Sequence, residues 1–464
     1  MSTYAIPPHE VAERAVSLGG EGTVAVVTVT SEADLRWANS MLTTNGERTS
    51  LSLTVVCTAP VDGGTAIGVA SGRAADQSEI DELVAQASRA AQAGTAADDA
   101  GPLIDSAPTA LDWDRPVATT SGAAFAQLAP ELGDAFARGR DDGIEHFGYA
   151  EHQVSTVFVA SSTGLRQRHS QPTAKVEATA KSHSRTRSSW AGRAGREMTE
   201  FAFADVEAEL RRGLAWQATA STIEPGRHTV ILTPSAVTDL MIYQYWTSSA
   251  RDAAEGHTVF SAPGGGTRLG ERLTESRITI SSDPYDAEIA GAPFTTAPWS
   301  SGLTSAFDIG LPLEKTTWVD EGSLAHLVTT RHSASELGLG VTPLIDNIRL
   351  THGEGHGTLD DVIARTQHGL LITCLWYIRE VDPRSLLLTG LTRDGVYLIE
   401  NGQVVGSVGN FRFNMSPEDV LSQTIDAGDT VMTLPREWGE DFARAAAPPL
   451  VVDGFNLSTR SDAL

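Results

Sequence analysis

Glu224-Pro225-Gly226-Arg227-His228-Thr229-Val230-Ile231-Leu232-Thr233-Pro234 is where the pattern of the chain changes. Pro-Gly favours a turn over helix or strand. The run 229–232 that follows is apolar and rich in β-branched residues, which suits a buried strand. Upstream, helical and alternating segments succeed one another; downstream, strand and turn dominate. The expected fold is therefore α+β. Residues 1–222 form an N-terminal α/β domain with a mixed or antiparallel sheet and flanking helices, and residues 223–464 form a β-dominated C-terminal domain.

Upstream of the break, residues 9–18 have helical spacing and stop at Gly19-Gly20. Alternation predicts strands over 23–30, 33–39, 50–58 and 65–69. Asn45-Gly46 is the expected hairpin turn among them, because both residues tolerate positive φ. Asp76 as N-cap, Glu79 three residues on, and the stripe Ile80, Leu83, Val84 and Ala87 predict a helix closed by Gly94. Residues 95–120 read as a surface loop, 130–138 and 205–218 as helices, and 144–160 and 165–180 as long strands. Downstream, strands are expected over 229–232, 277–281, 324–330, 347–350, 370–378, 395–400 and 403–408, the last two joined by Asn401-Gly402. A helix over 359–366 begins at the capping pair Thr358 and Asp361 and stops at Gly369.

The 464 residues include 59 acidic and 34 basic side chains, a formal net charge of −25. Such a surface repels phosphate backbones and anionic lipid, which argues against nucleic-acid and membrane partners. Only Lys175, Lys181 and Lys315 are lysines, and none lies in a Gly-rich GK[ST] context, which excludes a Walker-type NTPase. Cys57 and Cys374 are too few for a disulfide framework or a Cys-rich zinc site. The N-terminus has no basic or apolar targeting region, and the longest apolar run, about 369–378, is too short to span a bilayer. A cytoplasmic protein is expected.

The sequence offers few centres for chemistry. No Gly-x-Ser-x-Gly elbow is present. Gly264-Gly265-Gly266-Thr267-Arg268-Leu269-Gly270 lacks dinucleotide-binding spacing and reads as a surface loop. Asp112-Trp113-Asp114 pairs two carboxylates but reads as a solvated loop around a packed indole. His352-Gly353-Glu354-Gly355-His356 holds metal-ligand types, yet its glycines oppose the helix on which two imidazoles share a face, and it reads as a polar turn. Cys374 lies in the apolar strand 370–378 with no neighbouring cation in sequence and reads as a small hydrophobe. Trp376, Tyr377 and Arg379 are types that anchor a peptide or another subunit, or that simply pack in a core with an arginine at its rim.

Several segments together resemble the TldD/PmbA family of peptidases. They are the opening stretch Gly226-Arg227-His228-Thr229-Val230-Ile231-Leu232-Thr233-Pro234; Arg277-Ile278-Thr279-Ile280 followed by Asp283-Pro284; residues 358–371; and Tyr397-Leu398-Ile399-Glu400-Asn401-Gly402. Residues 154–164 and 205–226 extend the likeness into the first half. In the zinc-bearing branch of the family the strand leads into a helix with His-Glu-x-x-x-His, and a C-terminal cysteine completes the site. The resemblance places Ile242, Tyr243 and Thr247 at those three positions, and no cysteine follows Cys374. It therefore implies the TldE/PmbA-like branch: a subunit without catalytic residues or a metal of its own, inactive by itself. Its partner would be a TldD-like subunit carrying the zinc, in a heterodimer that cleaves unfolded or leader peptides. The candidate peptide-binding residues on this reading are Thr373, Trp376 and Arg379. Two other readings stand beside it: a stand-alone peptide-binding or accessory protein, and a hydrolase with a rebuilt site at His352, Glu354 and His356 or at Cys374.

Overall fold

The computed structural model describes residues 6–74, 76–105 and 107–461. Residues 1–5, part of the stretch read for targeting features, lie outside the described residues.

The first sheet holds β1 (Thr23–Ala38), β2 (Met41–Val61), β3 (Gly64–Arg73), β4 (Ile144–Ser161), β5 (Arg166–Ser182) and β6 (Arg187–Gly195). Their order is β3-β2-β1-β4-β5-β6, and every neighbour is antiparallel. Successive side chains on a strand point to opposite faces, so parity along β1 decides what it touches. Ala25, Val27, Val29, Ala33, Leu35 and Trp37 belong to the cores under the helices α1 (Pro8–Gly19), α2 (Gln77–Ala93), α3 (Leu128–Asp142) and α4 (Phe203–Trp216). Val24 and Val26, of the other parity, pack with Phe294 and Ile309 from the second half of the chain. The α2 helix starts as its sequence requires: Glu79 N donates to Asp76 Oδ1 at 3.0 Å, and Ile80, Leu83, Val84 and Ala87 are buried.

The first hairpin turns elsewhere than its sequence suggested. Asn45 and Gly46 lie inside β2, opposite Leu35 and Asp34. The turn is Asn39-Ser40, at φ 52° and 56°, the double positive φ of a two-residue hairpin. A tertiary contact holds it: Ser40 N donates to His146 O, and His146 N donates to Ser40 Oγ, both at 3.0 Å. The two strands expected over 23–30 and 33–39 are consequently one.

The second half contributes β7 (Gly226–Leu232), β8 (Ile278–Ser282), β9 (Thr316–Asp320), β10 (Ser323–Leu324), β11 (Ile348–His352), β12 (His368–Ile372), β13 (Leu375–Asp382), β14 (Leu387–Thr392), β15 (Val396–Glu400), β16 (Gln403–Ser407), β17 (Asn410–Met415), β18 (Thr424–Ala427), β19 (Val431–Thr433), β20 (Ala445–Ala447) and β21 (Leu450–Ser461). One sheet runs β10-β9-β8-β11-β20-β19; the other runs β13-β14-β17-β21-β7-β12-β15-β16, with β18 paired to β21. The β15–β16 turn is Asn401-Gly402, both at positive φ, as expected. Two expected strands are corrected. The stretch 370–378 breaks between Ile372 and Leu375 into β12 and β13, which belong to distant parts of one sheet. The stretch 324–330 is regular only at Ser323–Leu324, because Ala325 N and His326 N both turn to Trp318 O.

At the centre, β7 pairs β21 on one side and β12 in parallel on the other. It leads through Thr233 into α5 (Pro234–Trp246), with Pro at the first helical position. The helix is buried on nearly every side and sits in the largest core cluster. No described helix is long and apolar enough to cross a membrane.

Helix α2 lies directly on β3: a Cβ at Gly68 would stand 2.1 Å from Ala87 O and 2.2 Å from Ala91 N. Because those atoms are backbone, Gly68→Ala is expected to destabilise the protein by about 1–3 kcal/mol, read as a lowered urea midpoint with an unchanged m-value.

Candidate functional site

Helix α5 and the residue that caps its end place Ile242, Tyr243 and Thr247 as follows. The Ile242 side chain is fully buried in the core. The Tyr243 ring packs on Trp438 with centroids 5.8 Å apart. Thr247 Oγ1 donates back to Gln244 O at 2.9 Å. These side chains supply no set of donors that fits a zinc ion. The segment 434–442 closes over the helix instead. Ser235 Oγ donates to Leu434 O at 2.8 Å, Glu437 N to Asp239 Oδ1 at 3.0 Å, and Trp438 Nε1 to Asp239 O at 2.9 Å. Trp246 stacks edge-on against both Trp438 and Phe442.

A cleft of about 650 Å³ opens beside this cover. One wall is the face of the first sheet turned away from the helices, with Val26, Thr28, Thr54, Ser155 and Val157. The opposite wall includes Trp246, Phe442 and the segment 292–299, whose Trp299 is 62% exposed. Among the described residues, the charged side chains lining it are Asp308, Asp346 and Asp441, with no lysine, arginine or histidine. Asp308 is held by Arg331 at 2.7 Å and Asp346 pairs with Arg444.

Residues 225–459 match the profile of the PmbA/TldA metallopeptidase C-terminal domain. The chain belongs to the TldD/PmbA family. Solved structures share its fold across nearly the whole length. TldE from Thermococcus kodakarensis superposes with a TM-score of 0.76 at 14% identity, covering 96% of this chain and 99% of that one. A candidate modulator of DNA gyrase from Thermotoga maritima gives 0.74 at 16% identity, covering 96% and 99%. One from Bacteroides thetaiotaomicron gives 0.74 at 15%, covering 97% and 98%. No curated protein matches the sequence. The mixed helix-and-sheet architecture expected above is that of these TldE/PmbA-type structures.

In this TldD/PmbA chain the three candidate peptide-binding residues do not line the cleft. Thr373 closes the β12–β13 break, its Oγ1 donating to Gly395 O at 3.0 Å and its carbonyl accepting from Thr233 Oγ1 at 2.6 Å. The guanidinium groups of Arg436 and Arg393 both lie over the Trp376 ring, 5.3 and 5.9 Å from its centroid. Arg379 is exposed on the same strand, β13, and reaches Glu437 at 3.3 Å.

Cys374 does have a cation beside it, one that sequence proximity hid. Arg436 Nη1 is 2.7 Å from Cys374 Sγ, and Arg436 Nη2 is 2.6 Å from Asp394 Oδ2. Burial outweighs the arginine and pushes the thiol up to about 11, so Cys374 is no nucleophile at neutral pH. Arg436 also lies over Trp190 of β6 at 4.9 Å, tying the first sheet to the second half. The other sequence candidates are local. His352 Nδ1 accepts from Glu354 N, and the His356 ring contacts Glu354 O, within a polar turn. Trp113 is buried and donates to Glu13 at 2.9 Å. Among the described residues, the His, Cys, Asp and Glu side chains grouped closely enough for a metal are Asp252, Glu255 and His257, at the surface.

Asp239, Arg436, Glu437 and Trp438 were not singled out from sequence. Asp239 had a signal: it is the one acidic residue in the apolar run from Pro234 to Trp246. Its carboxyl is completely buried, and desolvation holds it well above the usual carboxylate range, against hydrogen bonds from the 436–438 backbone. The folded protein therefore holds this proton more tightly than the unfolded chain, whose aspartates titrate near about 3.9. The stability Asp239 contributes is complete below that pH and is lost as pH rises through its folded value. Asp239→Asn stays neutral throughout, so its urea midpoint should gain on the wild type as pH rises above about 4. Arg436→Ala takes from Asp394, whose side chain is 4% exposed, the nearer of its two arginines at 2.6 Å, leaving Arg393 at 3.8 Å and the Ser188 hydroxyl. A loss of about 1–3 kcal/mol is expected by denaturant titration, less than for a buried carboxylate stripped of every partner.

Proposed function

We propose that the chain is the zinc-free subunit of a two-subunit metallopeptidase, walling the cleft and holding an extended, unfolded or leader peptide for a TldD-like subunit that carries the zinc. The observation that supports this best is the α5 helix and its cap: where the zinc branch of the family places its ligands, they hold a core isoleucine, a tyrosine tilted against Trp438 and a threonine bonded to the carbonyl of Gln244. The cleft supports the holding role. Hydroxyl groups of Thr28, Thr54 and Ser155 can bond a peptide backbone, while Trp299 and Phe442 offer apolar contact without selecting one sequence. Trp376 and Arg379 on β13 contact the peptide or the partner on this reading. The carboxylates along the cleft disfavour nucleic acid as its occupant. Free, buried Cys57 and Cys374 suit the reducing cytoplasm.

The isolated chain should purify with no stoichiometric zinc by metal analysis and leave unfolded peptides intact. Cleavage should appear on adding the cognate zinc subunit and vanish when that subunit's metal is chelated. One tightly held zinc per isolated chain, or cleavage without a partner, would sink the proposal.

A further inference from the structure

In a regular strand, successive backbone N–H groups point to opposite sides, so two neighbours cannot share one acceptor. The edge strand β13 departs from this at one place. Its ladder with β14 pairs Trp376 with Leu391 and Arg379 with Thr389, so three steps on β13 oppose two on β14, which makes a bulge. Inside it Tyr377 stands at φ 52°, a conformation that bulky residues rarely adopt and that persists at ligand clamps. Two successive N–H groups are thereby turned to one acceptor. Tyr377 N donates to Glu437 Oε2 at 3.0 Å and Ile378 N to Glu437 Oε1 at 3.1 Å. Arg379 Nη1 adds a third donor at 3.3 Å. Adjacent backbone donors and a guanidinium converging on both oxygens of a carboxylate have the chemistry of a carboxylate receptor. Tyr377 and Val381 beside it are 56% and 57% exposed, a surface for one apolar side chain.

We propose that this bulge receives the C-terminal carboxylate of an extended peptide, and that Glu437 occupies it from within the chain until a peptide displaces it. The incoming carboxylate takes the N–H groups of Tyr377 and Ile378 and the Arg379 guanidinium, and its last side chain lies against Tyr377 and Val381. Glu437 belongs to the segment 434–442, whose Asp441 and Phe442 form part of the cleft wall. Occupancy of the receptor is therefore linked to the position of that wall. The inference rests on the peptide-holding role for its ligand, but the receptor needs no zinc subunit.

The test uses the full chain alone and fluorescein-labelled hexapeptides of alanine and leucine in three forms: free C-terminal acid, C-terminal amide, and amide with one internal glutamate. Glu437→Ala should bind the acid about tenfold or more tighter than the wild type does, and by a similar factor over either amide. Adding Arg379→Ala should remove about fivefold of that gain. Glu437→Gln, which keeps the segment's shape, should show the same order of preference. Acetate should raise the melting temperature of Glu437→Ala but not of the wild type. Equal binding of acid and amide by both Glu437 variants, or no acetate effect, overturns the receptor; internal-glutamate peptide binding as well as the acid overturns its assignment to a chain terminus. Cleavage with the zinc subunit reads the peptide-holding role separately, so the two ideas fail independently.

Discussion

A helix of thirteen residues that is apolar on nearly every side cannot stand against solvent on any of them, and α5 is such a helix. The second half of the chain is arranged to meet that constraint. The sheet containing β7 and the sheet containing β8 supply much of the core around it, and the segment 434–442 closes what they leave open. The aromatic cluster of Tyr243, Tyr245, Trp246, Trp438 and Phe442 seals the contact with edge-on and tilted ring pairs, each a favourable geometry beyond simple area burial. A helix covered in this way stays partly open only at Pro234, Tyr243 and Trp246, the last of which lines the cleft.

Covering α5 brings charges into dry surroundings, and each is answered differently. Asp239 has its carboxyl held well above the usual range by desolvation, while the backbone of Glu437 and the Trp438 indole bond its side-chain Oδ1 and its main-chain oxygen. Arg436, next in line, keeps its charge through Asp394 and spreads its planar face over two indoles. The Glu437 side chain, 8% exposed, is capped by the bulged edge of β13. Three consecutive residues, 436–438, thus lock the first sheet, the edge of the largest sheet and the buried helix to one another.

Much of the local structure was legible because local chemistry decides it. The Asp76 cap, the capping box of Thr358 and Asp361, the Asn401-Gly402 turn and the stripe on α2 each need only residues within one or two turns of chain. What misled was also physical. Asn45-Gly46 has better turn chemistry than Asn39-Ser40, yet the turn falls at Ser40 because His146, from a strand more than a hundred residues later, bonds it on both sides. The run 370–378 is uniformly apolar, so nothing in it marks the break at Thr373. Thr233 and Gly395, from other parts of the chain, hold that break.

By itself the sequence determined the capped helix starts at Asp76 and Thr358, the Asn401-Gly402 turn, the family, and the fact that Ile242, Tyr243 and Thr247 are not zinc-ligand types. These are properties of residue type and spacing, which chain connectivity preserves. Only the tertiary structure decided that Cys374 would have Arg436 beside it, that a lone aspartate in an apolar run would be sealed in with its carboxyl held well above the usual range, and that Glu437 would sit on two backbone donors of β13. Partners 58 to 198 residues apart create those environments. Desolvation and hydrogen bonding depend on distance in space, and a linear pattern does not carry it.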